Sequence, residues 1–160
     1  ALARLAAQRS VQIITQNVDE LHEAAGSENV IHLHGSLTRY KCIERHHPYP
    51  LLLDDIPAEP PTCPRCGALI RPDVVWFGEM LPSGVLEGAI EASERCDVML
   101  VVGTSGLVHP AASLPLLAGQ NGARTVEINP EPTALTGYLD LSLRGPAGEV
   151  LPALLEAMEG

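Results

Sequence analysis

Short apolar runs alternate along the chain with longer segments in which apolar and polar positions are mixed. The apolar runs predict buried strands, and the mixed segments have the apolar spacing of helices. The predicted strands or extended segments are residues 11–15, 30–34, 74–79, 97–103, 123–129 and 138–143. The predicted helices are residues 1–9, 18–26, 83–95, 110–119 and 147–158. This alternation predicts an α/β fold with a mostly parallel, doubly wound sheet that is covered on both faces.

One segment departs from this pattern. Residues 38–72 are rich in proline, hold three cysteines and show no helical spacing. We therefore predict that residues 1–37 and 73–160 form the α/β domain and that residues 38–72 form a small zinc-knuckle-type subdomain.

Composition and charge narrow the class of protein. The chain has 160 residues, of which 46% are hydrophobic, and a formal net charge of −10. This charge argues against nonspecific binding to nucleic acid, although an acidic surface would attract a basic peptide. No apolar run reaches the roughly 18–20 residues of a membrane helix. Four cysteines in a chain of this size favour a reduced, cytoplasmic setting over a disulfide framework.

The segment "VIHLHGSL" (residues 30–37) holds two histidines on one side of a predicted strand. They could form a paired metal site, be two ordinary strand residues, or be one catalytic base with a bystander. No third metal ligand is suggested nearby. Only His34 ends the strand, before a glycine that would leave open backbone beside a pocket, and this favours His34 over His32.

Polar or small residues follow several strands at their carboxyl ends, where open α/β sheets bind ligands. In "TQNVDELH", Asp19 is placed to cap a helix, whereas Gln16 and Asn17 suit hydrogen bonding to a sugar or a carboxamide. The glycine-rich turn of "VVGTSG" (residues 101–106) would let backbone N–H groups approach a phosphate or ribose. "INPE" (residues 128–131) also ends a strand. It could present Asn129 and Glu131 to a ribose, but by itself it is more typical of an ordinary turn. Many strand-to-helix turns likewise carry glycine and serine for geometry only.

The "CPRC" segment has a spacing that lets Cys63 and Cys66 share one zinc ion. Cys42 begins the same irregular segment and is a natural third ligand. A knuckle without metal is the alternative interpretation.

The fourth ligand of such a site is open. The expected position, three residues beyond Cys42, holds Arg45, and His46 or His47 could substitute. Cys96 adjoins a buried strand and is predicted to be a core thiol.

The extended "VVWFGE" segment (residues 74–79) places two aromatic residues beside a glycine. It could be a hydrophobic plug between domains. Alternatively, it could be an edge that pairs with an extended peptide, with Trp76 and Phe77 lining a groove.

Together and in this order, these motifs resemble the sirtuin family of NAD-dependent protein-lysine deacylases. The matching segments are "TQNVDELH", "HLHGSL", "CPRC", "RPDVVWFGE", "VVGTSGLVHPAA" and "EINPE". Two of them, "RPDVVWFGEM" and "GTSGLVHPAA", are most similar to the bacterial and mitochondrial branch, which removes succinyl and malonyl groups as well as acetyl. The resemblance implies a Rossmann-like fold that is incomplete at its amino terminus, with NAD as cofactor and zinc in the insert.

The resemblance also implies roles for individual residues. His34 would be the general base, and Asp19 would hold the nicotinamide carboxamide. The residues that bind the cofactor would be Gln16, Asn17, Val18, Asp19, Gly103, Thr104, Ser105, Asn129, Pro130, Glu131 and Ala147. Those that bind the substrate would be Val75, Phe77, Gly78, Glu79, Val108, His109 and Pro110. The metal ligands would be Cys42, Cys63 and Cys66, with the fourth open.

The implied reaction transfers the acyl group of an acyl-lysine to ADP-ribose and releases nicotinamide. The partners would be acyl-lysine proteins or peptides, without nucleic acid or membrane, and the protein would be a monomer. The family's first strand and Gly-Ala-Gly phosphate loop have no match here, so this chain alone is expected to be inactive. The alternatives are a non-catalytic module that binds NAD or another nucleotide, and a zinc-knuckle interaction module.

Overall fold

The computed structural model describes residues 1–51 and 59–159 and contains five helices and eight strands within them. The helices are α1 (Leu2–Ala6), α2 (Leu21–Ala24), α3 (Ser83–Arg95), α4 (Leu114–Gln120) and α5 (Ala147–Glu159). The strands are β1 (Ile13–Thr15), β2 (Val30–His32), β3 (Gly35–Cys42), β4 (Pro48–Tyr49), β5 (Ile70–Val74), β6 (Val98–Val102), β7 (Arg124–Asn129) and β8 (Leu141–Arg144).

The parallel strands confirm the predicted Rossmann-like α/β fold. They lie in two sheets, one formed by β1 and β2 and the other by β6, β7 and β8 in that order. Helix α3 contacts β2, α4 contacts β6 and β7, and α3 and α4 pack against each other. The core between these elements is built around the buried residues Leu33, Ala89, Ala111 and Leu114.

The insert forms an antiparallel sheet in the order β4–β3–β5. It has a core of its own, in which Tyr40 and Ile70 pack with the buried thiols of Cys42 and Cys63. Strand β3 therefore begins immediately after His34 in the sequence and ends at Cys42, one of the two buried thiols. This strand connects the two candidate sites of the molecule.

Gly35 allows β3 and β5 to approach each other closely. Its φ is +80°, and a Cβ atom there would lie 1.9 Å from the backbone oxygen of Asp73. Any other residue would clash with this oxygen and would strain the backbone. The glycine after His34 thus serves strand packing, whereas the sequence had suggested open backbone beside a pocket.

Several elements are shorter than predicted. Strand β2 ends at His32, so that Leu33 and His34 form a turn. The extended segment predicted at residues 74–79 is wrong beyond Val74: β5 covers Ile70–Val74, and Phe77 and Gly78 lie in a turn. A 3₁₀ turn precedes α4 (Ala111–Ser113) and another precedes β8 (Thr136–Tyr138). Among the described residues, no helix is both long enough and apolar enough to span a membrane.

Candidate functional site

His34 is held in one orientation by the turn that follows β2. Its Nδ1 lies 3.0 Å from the backbone oxygen of Gln16. A carbonyl oxygen can only accept, so the neutral imidazole carries its hydrogen on Nδ1 and keeps its lone pair on Nε2. The backbone oxygen of His34 accepts a hydrogen bond of 2.9 Å from Val75 N. The half-buried ring is therefore fixed in the tautomer that a general base needs.

His32 has a different environment. Its Nε2 lies 2.6 Å from Glu23 Oε1, and its Nδ1 lies 3.4 Å from Asn17 O. Both ring nitrogens thus face acceptors within the chain, and neither is directed at an open ligand site. The hydrogen bond from His32 is the largest of the effects that lower the pKa of Glu23. His32 therefore links α2 to the loop after β1.

The two histidines do not form a metal pair. The metal-ligand cluster found among the described residues includes neither of them. The paired metal site, one of the three interpretations of "VIHLHGSL", is therefore not favoured. The two histidines instead have separate hydrogen-bond partners.

A chain of hydrogen bonds runs along the carboxyl ends of three parallel strands. From His34 it passes through the backbone of Gln16, whose side-chain Nε2 donates to Thr104 Oγ1 over 3.2 Å. Asn129 Nδ2 donates to Thr104 O over 2.9 Å. These contacts join the ends of β1, β6 and β7 in one row, at the edge where α/β sheets bind ligands.

The other predicted cofactor residues lie around this row. Asp19 Oδ1 accepts a hydrogen bond of 3.1 Å from the backbone N–H of Leu21, the first residue of α2, but the N-cap position predicted for Asp19 is held by Glu20. Val18 O accepts 2.8 Å from Leu37 N, which ties the loop after β1 to β3. Asn17 is exposed. Gly103 and Ser105 flank Thr104, Pro130 and Glu131 follow Asn129, and Ala147 is the first residue of α5.

A buried carboxylate behind this row was missed by the sequence reasoning. Glu127 in β7 is 1% exposed, and Arg144 Nη1 lies 2.9 Å from its Oε2. Its carboxylate also accepts hydrogen bonds from the hydroxyl groups of Thr133, Thr136 and Ser142. Burial alone would raise the pKa of Glu127, but these hydrogen bonds outweigh it and lower that pKa.

Arg144 extends this network to the segment after β7. The same Nη1 donates to Glu131 O over 2.9 Å. The Glu127 network thus fixes the backbone of a predicted cofactor segment. Its only signal in the sequence was a carboxylate between Val126 and Ile128 of the predicted strand "ARTVEIN".

The predicted substrate residues lie in two surface segments. In the first segment, the backbone N–H of Val75 donates a hydrogen bond to the backbone oxygen of His34, and Phe77 is fully exposed at the tip of a turn. Gly78 has a φ of +88° in this turn, which Glu79 N closes with a 2.9 Å hydrogen bond to Trp76 O.

The second segment contains Val108, which is exposed, and a cis peptide bond between His109 and Pro110. His109 Nδ1 lies 3.1 Å from Ser113 Oγ. Within the described residues, no backbone hydrogen bond joins the two segments.

The knuckle consists of Cys42, His47, Cys63 and Cys66, whose ligand atoms all lie within 4.8 Å of one another. His47 thus takes the fourth position, which the sequence left open between two histidines. The backbone N–H groups of Arg45 and His47 each donate to Cys42 Sγ over 3.3 Å. Burial alone would raise the pKa of Cys42, but these amides and the neighbouring thiols lower it, which favours the thiolate that a metal requires.

The geometry of the knuckle fits zinc. A tetrahedral zinc ion with Zn–S bonds of about 2.3 Å and Zn–N bonds of about 2.0 Å separates two sulfur ligands by about 3.8 Å, and a nitrogen from a sulfur by about 3.5 Å. Cys66 Sγ lies 3.8 Å from Cys42 Sγ, and His47 Nδ1 lies 3.4 Å from Cys63 Sγ. Cys96 lies outside the cluster and donates to Ser93 O over 3.4 Å.

The sequence resembles known proteins over most of its length. A family model described as the Sir2 family matches residues 1–110. The chain is 54% identical over 145 residues to NAD-dependent protein deacylase 1 of Archaeoglobus fulgidus, covering 89% of this chain and 58% of that protein. It is 50% identical over 163 residues to the NAD-dependent protein deacylase of Mycobacterium tuberculosis, covering 99% of this chain and 68% of that protein.

Solved structures of Sir2 proteins have the same fold as this chain. A complex of a Sir2 homologue with NAD superposes with a TM-score of 0.90 at 49% identity, covering 98% of this chain and 62% of that chain. Sir2Af2 bound to a myristoylated histone peptide superposes with a TM-score of 0.83 at 42% identity, covering 97% of this chain and 68% of that chain. This chain thus spans about three fifths to two thirds of the length of these relatives.

Proposed function

The chain belongs to the Sir2 family, and we propose that this protein acts as an NAD-dependent protein-lysine deacylase. The observation that carries the proposal is the fixed tautomer of His34 at one end of the hydrogen-bonded row Gln16, Thr104 and Asn129. A base with a free lone pair thus stands beside a ligand edge. The relatives are named NAD-dependent protein deacylases. The reaction that we propose for this protein is transfer of an acyl group from lysine to ADP-ribose, with release of nicotinamide.

The row of strand ends would bind NAD. The side chains and backbone N–H groups of Gln16, Thr104 and Asn129 suit hydrogen bonding to ribose and phosphate. The full proposed set is Gln16, Asn17, Val18, Asp19, Gly103, Thr104, Ser105, Asn129, Pro130, Glu131 and Ala147. Bound NAD would supply the ribose carbon that accepts the acyl oxygen as nicotinamide leaves.

His34 would act in the proton transfer. Its Nε2 would take a proton from a ribose hydroxyl, which could then attack the acyl carbon. The Gln16 carbonyl would hold the Nδ1–H during this step and would keep the resulting imidazolium oriented. His32 cannot do the same, because both of its nitrogens face acceptors.

The two surface segments would hold the acyl-lysine peptide as an added strand, with Val75, Phe77, Gly78 and Glu79 on one side and Val108, His109 and Pro110 on the other. Sir2 relatives with bound peptides, one with a p53 peptide and NAD and one with a myristoylated histone peptide, support this class of substrate. We further propose a monomer located in the cytoplasm.

The knuckle would hold a structural zinc ion. All four tetrahedral positions are taken by side chains of this chain, namely Cys42, His47, Cys63 and Cys66. A catalytic zinc site keeps one position open for water or substrate, and this one does not.

The test is an assay of the full-length protein with NAD and peptides that carry acetyl-, succinyl- or myristoyl-lysine, following nicotinamide release. We expect His34→Ala to lower turnover by about 10²- to 10⁴-fold, as is usual for the loss of a general base. His32→Gln is the matched control, and its loss should be smaller. Full turnover by His34→Ala would contradict the role of this residue, and no turnover of any peptide by the unmodified protein would contradict the activity.

A further inference from the structure

Arg71 in β5 is a buried cation with an unusual set of contacts. Its side chain is 7% exposed, and its buried Nε has no hydrogen-bond partner among the described residues, so its polar contacts are made by the two terminal nitrogens. Nη1 donates to Val74 O over 2.7 Å, and Nη2 donates to Glu79 Oε1 over 2.6 Å. The guanidinium also lies over the indole ring of Trp76, 4.0 Å from its centroid. All three contacts go to residues 74–79.

Glu79 accepts hydrogen bonds from both Arg71 and the backbone of Trp76. Its second oxygen, Oε2, accepts a hydrogen bond of 3.1 Å from Trp76 N. The hydrogen bonds from Trp76 and Arg71 lower the pKa of Glu79, so the carboxylate is charged at neutral pH. Arg71, Trp76 and Glu79 thus form a closed set of contacts, which we call the turn clamp. Both carboxylate oxygens of Glu79 are engaged within this clamp, so Glu79 also positions the turn in which the proposed peptide-binding residues lie.

We propose that Arg71 is a positioning residue for peptide binding, which it serves by holding the turn at residues 76–79 in its binding shape through the turn clamp. This inference rests on the proposed function, which gives this turn to the acyl-lysine peptide. An arginine is required because its planar fork reaches two acceptors while its face covers the indole. Lysine has no such fork and could satisfy only part of the set.

The clamp acts on the part of the turn that has least support of its own. Phe77 is fully exposed, so its side chain does not pack against the rest of the chain. Gly78, which has a φ of +88°, has no side chain that could pack. Without the clamp, the peptide itself would have to order this turn, and binding would weaken by the free energy of that ordering. Once the peptide is bound the turn is ordered again, so the chemical step is unaffected.

The first readout is steady-state kinetics of the full-length protein carrying Arg71→Lys, with an acetyl-lysine peptide. The KM for the peptide should rise about tenfold, while kcat and the KM for NAD change less than about twofold. Glu79→Gln should act in the same direction with a smaller rise.

Lys41→Gln is the matched control. Lys41 is paired with Arg71 across the same sheet and is equally buried, but its ion pair of 2.7 Å goes to Asp73. This control should leave the KM for the peptide nearly unchanged. An equal rise in Lys41→Gln would overturn the proposal, because it would show a general weakening of the sheet.

The second readout does not depend on turnover. Trp76 is the only tryptophan among these 160 residues, so the difference in intrinsic fluorescence between Arg71→Lys and the unmodified protein reports on the clamp. In Arg71→Lys without peptide, acrylamide should quench Trp76 more strongly than in the unmodified protein. Unchanged quenching together with an unchanged KM would overturn the inference while leaving the deacylase activity intact. A protein without any turnover would instead refute the proposed function, and quenching would still test the clamp.

Discussion

Two polar clusters of this molecule are built in opposite ways. In the knuckle, Cys42, His47, Cys63 and Cys66 converge, and their ligand atoms all lie within 4.8 Å of one another. In the strand-end row, the contacts run in a line from His34 through Gln16 and Thr104 to Asn129. The first arrangement encloses a point, whereas the second extends along an edge and leaves groups free to meet another molecule.

The difference indicates what each cluster requires from outside the chain. The knuckle holds four donors within 4.8 Å of one another, two pairs of them at the separations of tetrahedral zinc, so it requires only an ion. The strand-end row leaves His34 with a lone pair on Nε2 and Asn17 exposed, so its chemistry depends on a bound ligand. We therefore expect the knuckle to contribute stability and the row to contribute function.

Removal of zinc should have the largest effect. Structural zinc binds with an apparent free energy of about 10 kcal/mol or more in zinc-finger peptides, and this energy is folding energy. We expect a strong chelator to lower the melting temperature by more than about 10 °C, as measured by calorimetry. Metal analysis of the purified protein is the control. If the protein contains no zinc and the chelator leaves its melting curve unchanged, the knuckle is metal-free.

Replacement of the fourth ligand should have an intermediate effect. His47→Ala removes one zinc ligand, so the zinc affinity should fall by at least about 100-fold in competition with a metal indicator. His46→Ala is the matched control, because His46 is the adjacent histidine and is exposed outside the cluster. Its zinc affinity should change less than about twofold. Equal losses in both variants would contradict the assignment of His47.

Loss of the charge behind the strand-end row should have the smallest effect. Because the pKa of Glu127 is lowered in the folded protein, its ionised form stabilises the fold above its ordinary pKa of 4.5, and this contribution is lost as the pH falls further. At pH 7, Glu127→Gln should lower the melting temperature by about 5 °C. The difference in melting temperature between Glu127→Gln and the unmodified protein should shrink between pH 5 and pH 3, which is roughly the range in which carboxyl groups titrate.

A difference in melting temperature that stays constant down to pH 3 would contradict the charged state of Glu127. Ser142→Ala is a useful comparison. It removes one hydrogen bond of 3.1 Å to the same carboxylate but leaves the charge in place. It should therefore destabilise less than Glu127→Gln.

Much of the fold was predictable because its signals are local. The apolar runs predicted the parallel strands, and the proline-rich segment predicted a structure separate from the parallel sheet. Lengths were less predictable: β2 ends at His32 because the chain must turn at Leu33 and His34 to enter β3. The predicted domain boundaries after residues 37 and 72 stay a prediction.

The sequence by itself determined the parts that depend on neighbouring residues: the alternation of strands and helices, the cysteine pair of the knuckle, and the family resemblance of the motifs. Only the tertiary structure distinguished His47 from His46 and showed which ring nitrogen of His34, already favoured by the sequence, carries the hydrogen. His46 adopts a left-handed backbone with a φ of 53°, and its exposed side chain takes no part in the cluster that includes His47. The tautomer of His34 is fixed by the backbone of Gln16, which lies 18 residues away. The physical reason is the same in both cases: the direction and protonation of a side chain depend on partners that only the folded chain brings within hydrogen-bonding distance.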